Sequence, residues 1–177
     1  MNDFKHNYYA GGVGTRTAYL GMLLGLAVLF GYVEAMIPIP VPVPGIKLGL
    51  ANIVVAAILY IFSWKEAVFI TALRVVIIGF LFGNMFSIAY GLPGALFSLL
   101  VMAILKRTDI FSIVGVSAAG GTVHNIAQTV VAFFIVKGFP VNWYLPFLMI
   151  AGLIAGTLIG LADALIIPRI YPLTNTR

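Results

Sequence analysis

Long stretches without charge are the feature that most limits what this chain can fold into. Residues 75–105 contain no Asp, Glu, Lys or Arg, and neither do residues 110–136. The whole chain is 8% charged, whereas soluble globular proteins average about 25%. So few charges cannot cover a surface that faces water. Because apolar runs of roughly 20 residues suit membrane helices, the sequence predicts an all-α integral membrane protein.

Six apolar segments approach the roughly 17–25 residues that a spanning helix needs. We place them at residues 18–36, 48–63, 67–83, 87–105, 111–136 and 145–167. The second and third segments are short, and residues 63–67 leave room only for a tight turn. The first segment lacks a small-x-small cleavage site, so we expect it to be retained rather than removed as a signal peptide. Residues 17–170 form the predicted transmembrane domain, between cytoplasmic tails at 1–16 and 171–177.

The basic residues predict the orientation of this bundle. With a cytoplasmic N-terminus, the inner side carries Lys5, Arg16, Lys65, Lys106, Arg107, Arg169 and Arg177. The outer side then carries only Lys47 and Lys137. Cytoplasmic loops are enriched in Lys and Arg, which favours both termini inside. The net charge of +5 is therefore attributed to topology, and no nucleic-acid partner is expected.

Rare polar side chains inside the predicted spans mark a candidate pocket, since ionisable groups in a bilayer are functional candidates by default. At mid-membrane or in the outer half we place Glu34, Asn52, Arg74, Asn84, Tyr90, His124, Asn125 and Gln128. His124 and Gln128 share a helix face. The alternative is structural: amides in spans often only bond neighbouring helices, and Glu34 and Arg74 could be a structural ion pair. Asp163 and Arg169 are interpreted as such a pair.

The stretch "PIPVPVPG" cannot be helical, because Pro38, Pro40, Pro42 and Pro44 lack N–H groups and restrict the residues before them. It joins the first two spans on the predicted outer side. Extended at about 3.1 Å per residue, it could cross the mouth of a small bundle. It is predicted to be a lid over the pocket, or otherwise a rigid connector.

Glycines recur every fourth residue in three spans, at Gly21 and Gly25, at Gly79 and Gly83, and at positions 152, 156 and 160. Such spacing lets helices approach closely. The stripes serve packing within the bundle if they face inward and a partner protein if they face lipid. The sequence leaves this choice open.

The chain lacks the motifs of common catalysts. It has no phosphate-binding loop and no cysteine, and its five acidic residues are scattered. Metal and diphosphate sites need clustered ligands. We therefore expect no catalytic residues, no metal and no cofactor, and interpret the chain as a binding protein.

The segments "PIPVPVPGIKLGLAN" (38–52), "FGN" (82–84) and "GGTVHNIAQ" (120–128), with Glu34 and Arg74, closely resemble the Gx transporter family, often labelled heptaprenyl diphosphate synthase component I. This family resembles the substrate-binding S components of energy-coupling factor transporters. The resemblance implies a six-helix S-component bundle in a bacterial plasma membrane and an outer site to which Lys47 also contributes. It implies docking, through Gly21 and Gly25, onto a transmembrane coupling subunit with two ATPase subunits.

The function expected from this resemblance is import of a small molecule, such as a vitamin-like compound or an isoprenoid or quinone precursor. Two alternatives stay open. The chain could be the membrane partner of a flavin- or quinone-linked extracellular electron-transfer system, or a non-catalytic accessory component of the synthase. Catalytic prenyl-transfer enzymes carry Asp-rich motifs that are missing here.

If the proline segment is a lid, its stiffness should slow the dissociation of a bound ligand. Replacing Pro40 and Pro42 with Gly keeps the length of the segment but loosens it, which raises the entropy lost on closure. We expect faster dissociation of a bound ligand with normal expression, measured by filter binding or stopped flow. Unchanged dissociation, alongside faster release from a His124→Ala variant, would make the prolines a rigid connector only.

Overall fold

The computed structural model describes residues 12–36, 49–135 and 141–174, and their side chains except those of 141–144 and 171–174. This part of the chain contains helices and no strand. The helices are α1 (Val13–Met36), α2 (Leu50–Ile61), α3 (Trp64–Phe82), α4 (Met85–Thr108), α5 (Ile113–Ile135) and α6 (Val141–Thr174). The predicted all-α fold class is confirmed. The proline segment lies outside the described residues.

Four helical segments are long and apolar enough to cross a membrane: α1, α4, α5 and Leu145–Ile170 of α6. Their outer faces carry large apolar side chains that are exposed in the described part of the chain, including Leu29, Phe97, Phe134 and Leu158. Such a surface suits lipid rather than water. The structure therefore supports a membrane protein.

Helix α2 does not match the prediction of a second span at 48–63. It has 12 residues, which at 1.5 Å per residue give about 18 Å, against a hydrocarbon core of about 30 Å. Every residue from 54 to 62 is buried, so α2 forms the centre of the bundle. Gly49, the N-cap residue just before α2, has φ 77°, in the left-handed region that favours glycine.

The glycine stripes face in different directions. A Cβ on Gly156 would lie 2.4 Å from Ser117 O and 2.9 Å from Ala118 Cα, both backbone atoms of α5. Gly152 and Gly160 approach the α5 backbone as closely. A Cβ on Gly21 or Gly25 would meet nothing within 4 Å. The α6 stripe therefore packs α6 on α5, whereas the α1 stripe faces away from the bundle.

Polar contacts hold the end of the bundle where α2 meets α3. Arg16 forms an ion pair with Glu66, which also accepts a hydrogen bond from Ser63 Oγ. Lys106 Nζ donates to Leu59 O at 2.7 Å, satisfying one of the carbonyls left open where α2 ends. Helices α1 to α4 are thus linked at this end.

The predicted pairing of Asp163 with Arg169 is wrong. Asp163 is buried with no hydrogen-bond partner for either carboxylate oxygen, and Arg169 is exposed. Residues six apart lie roughly 120° from each other around a helix, so they do not share a face.

Two glycine substitutions test the packing of α5 on α6. Gly156→Ala should destabilise the protein by roughly 1–3 kcal/mol, because the new methyl group meets backbone that cannot rotate away. The matched control, Gly25→Ala, should be neutral or slightly stabilising, because its methyl meets open space and alanine favours helix. Thermal unfolding of the purified protein in detergent measures both. Equal effects would contradict this packing.

Candidate functional site

A buried arginine forms the centre of the polar interior. Arg74 of α3 is 6% exposed, and its Nη2 donates to Asn52 Oδ1 of α2 at 3.0 Å. The negative charge of Glu34 of α1 acts favourably on this guanidinium. Glu34 Oε1 also accepts a hydrogen bond from Gly49 N. These contacts join the ends of α1 and α2 to the middle of α3.

A small cavity of about 20 Å³ lies beside this arginine. Roughly 10–15 Å³ on this measure holds one water molecule, so in this conformation the cavity has room for a single small group. Residues from α2 to α6 line it. The polar ones are Asn52, Thr71, Arg74, Ser98, Ser117 and His124. We call this the interior cavity.

Three polar atoms of the cavity lining have no hydrogen-bond partner: Thr71 Oγ1, Arg74 Nε and Ser117 Oγ. Their residues are all at least nine-tenths buried. Ser98 Oγ is satisfied, since it donates to Gly120 O at 2.8 Å. A buried polar group without a partner destabilises a fold by about 1–3 kcal/mol. The unpartnered groups are two hydroxyls and one N–H. All three can donate a hydrogen bond, so they suit a group that presents an acceptor oxygen.

The structure brings together some of the residues predicted for the pocket. Asn52, Arg74 and His124 line the interior cavity, and Glu34 adjoins it through Gly49. Gln128 lies one turn from His124, where its side chain packs against Gly94 of α4. Lys47 and the four prolines lie outside the described residues.

Other predicted residues are placed elsewhere. Asn84 is exposed and caps α4, with its Oδ1 accepting from Ser87 N at 2.8 Å. Asn125 Nδ2 donates to Leu148 O of α6 at 2.7 Å, a contact that joins α5 to α6. Tyr90 is half-buried on α4 and does not line the interior cavity.

The sequence reasoning missed Thr71, Ser98 and Ser117. Hydroxyl side chains are common in membrane helices, where they bond to the preceding turn or to neighbouring helices, so they carry little signal alone. Thr71 had the strongest signal, because it precedes Arg74 by three residues and therefore shares its helix face.

The fold and the site together define a helical membrane protein with a small, buried cavity lined by hydrogen-bond donors. Residues 23–166 match the sequence model of the family described as heptaprenyl diphosphate synthase component I. The chain belongs to this family, which confirms the resemblance seen in its motifs. No curated protein and no solved structure matches it.

A double-mutant cycle tests whether Asn52 and Arg74 act as a pair. Asn52→Ala should destabilise the protein by roughly 1–3 kcal/mol, because it leaves a buried charge short of an acceptor. Adding Arg74→Met should then cost less than it does alone, because the partner is already gone. Unfolding in detergent measures all four proteins.

The control cycle pairs Arg74→Met with Asn84→Ala, which removes an exposed cap. Those two effects should add within about 0.3–0.5 kcal/mol. If the effects of Asn52→Ala and Arg74→Met on stability also add, the two residues do not act as a pair.

Proposed function

We propose that this protein is the substrate-binding component of an energy-coupling factor-type importer in a bacterial plasma membrane. The observation that carries the proposal is the interior cavity, with its unpartnered Arg74 Nε, Thr71 Oγ1 and Ser117 Oγ. Unpaired donors in a buried site favour a ligand that presents an acceptor oxygen. Membership of the component I family supports it, because that family resembles S components.

In this proposal the ligand enters from outside and both termini are cytoplasmic, as the distribution of Lys and Arg predicts. The cavity of about 20 Å³ is far smaller than the roughly 300–1,000 Å³ of ligand pockets. Capture of a vitamin-like molecule, or of an isoprenoid or quinone precursor, therefore requires the helices around Arg74 to move apart. The proline segment, next to Gly49 in sequence, is the proposed lid.

The outward face of α1 is the proposed docking surface for a coupling subunit, which would work with two ATPase subunits. Gly14, Ala18, Gly21 and Gly25 are exposed and follow one face of the helix at spacings of three or four residues. A Cβ at any of the three glycines meets nothing within 4 Å. Without side chains in the way, the backbone of another membrane helix can approach this face closely.

The docking surface predicts a loss of assembly without a loss of folding. Replacing Gly21 and Gly25 with Leu should abolish co-purification with a coupling subunit, because the added side chains block close approach. The monomer should remain folded, since both positions face open space. Affinity co-purification from a host that expresses the coupling module measures assembly. Size-exclusion chromatography and thermal unfolding measure whether the monomer is folded.

Gly31→Leu is the matched control on the same helix. A Cβ there would lie 2.1 Å from Ile78 Cδ1, so this variant should lose stability in the isolated monomer. Retained co-purification of the Gly21→Leu, Gly25→Leu protein would overturn the docking surface.

The family name favours one alternative, an accessory role beside a polyprenyl synthase. Stoichiometric activation of a catalytic subunit by the purified protein would support that role over import. The third role, as membrane partner of an electron-transfer protein, would show as a stable complex with a flavin- or quinone-linked protein and no coupling subunit.

A further inference from the structure

Asp163 is the buried ionisable group that neither the interior cavity nor the docking surface uses. It lies on α6 and is 0% exposed. Neither Oδ1 nor Oδ2 has a hydrogen-bond partner. A carboxylate ion in this position would lose its hydration and gain nothing in return, which strongly disfavours the charge in a membrane interior.

Among the described residues, the groups that face Asp163 offer no cation to balance it. The titratable residue of α2 is Tyr60, which lies near Asp163. The titratable residue of α5 is His124, which lines the interior cavity near Gly121. Gly121 packs on Gly152 and Gly156, and the nearer of these, Gly156, is seven residues or about 10 Å along α6 from Asp163. Arg169 of α6 itself is exposed on another face.

A metal ion does not fit this position either. Hard cations take six or more oxygen ligands, and among the described residues no three His, Asp or Glu side chains come together. A proton needs only one oxygen. It is the one cation that an isolated carboxyl can bind without other ligands.

Asp163 also has a defined place between the interior cavity and the end of the bundle. Ile159, one turn earlier on the same face of α6, lines the cavity. Ile159 also lies beside Gly49 at the start of α2, whereas Tyr60, near the end of α2, has its ring centroid 4.9 Å from the ammonium of Lys106. Lys106 is only partly buried. The order along the bundle is therefore cavity, carboxyl, phenol and ammonium.

We propose that Asp163 is a proton-binding site, loaded while α2, α5 and α6 are packed together and discharged when α2 and α6 separate. Discharge breaks the O–H bond of the carboxyl and leaves the electron pair on its oxygen. The proton passes to a water molecule admitted between the helices. Opening of the bundle thereby releases one proton, and closing takes one up.

Infrared spectroscopy of the purified full chain in lipid nanodiscs tests the loaded state, and the small number of acidic residues, five in all, keeps the spectrum simple. At neutral pH the wild type should show the carbonyl stretch of a protonated carboxylic acid. Asp163→Asn should lose this band. Asp109→Asn, the matched control at an exposed position, should keep it.

Should Asp163→Asn fail to fold, wild-type protein made with aspartate carrying ¹³C in its side-chain carboxyl replaces it, and the band should then shift. Absence of the band from the wild type, or a band that neither change affects, overturns the proposal.

After transfer to D₂O the band should shift slowly, at the rate of helix opening. A shift complete within the mixing time would show that water already reaches Asp163, and would overturn the gated site.

Discussion

Burial removes the polar groups of this bundle from bulk water, and Arg74 is the residue for which that constraint matters most. An arginine cannot lose its charge in a protein, so the chain itself must supply acceptors. It does so with Asn52 at 3.0 Å and with the charge of Glu34. These partners come from α1 and α2, so their interactions with Arg74 on α3 help to position the ends of both helices.

The sequence contains more of this arrangement than its composition suggests. Asn52 and Arg74 are each eleven residues from Ser63, which lies in the turn between α2 and α3. In an antiparallel helix pair, positions equally far from the turn lie at the same height, so the contact could have been predicted. The short length of α2 could not have been predicted in this way, because hydropathy is equally high for a lipid-facing span and for a helix buried in a core. Asn84 had a readable signal as well: a helix that starts after Asn, with Ser three residues later, is a capping pattern.

Packing is uneven around the interior cavity. Glycines bring the backbones of α5 and α6 into contact, and Asn125 adds a hydrogen bond to Leu148 O. Helix α1 packs on the bundle through buried positions such as Ala27 and Gly31 and adds polar contacts near its two ends, Arg16 with Glu66 and Glu34 with Gly49. Backbone contacts through glycine leave no side chain that can change rotamer, whereas polar contacts can exchange with water or ligand. The cavity is lined by residues from α2 to α6, so it borders the closely packed α5–α6 pair and also Arg74, on which the charge of Glu34 of α1 acts.

Arg74 and Asp163 are both ionisable side chains buried away from bulk water, and the protein accommodates them in different ways. Arg74 keeps its charge and therefore needs fixed partners, which tie its position to one arrangement of α1, α2 and α3. A carboxyl can instead accept a proton and become neutral, so Asp163 needs no partner in the packed bundle. The consequence differs when the helices move. In the proposed opening, Arg74 would exchange one set of hydrogen bonds for another, whereas Asp163 would gain access to water and ionise. Opening at Arg74 would change which groups bind ligand, and opening at Asp163 would change the charge of the protein. A chain that does both in one motion couples ligand exchange to the binding of a proton.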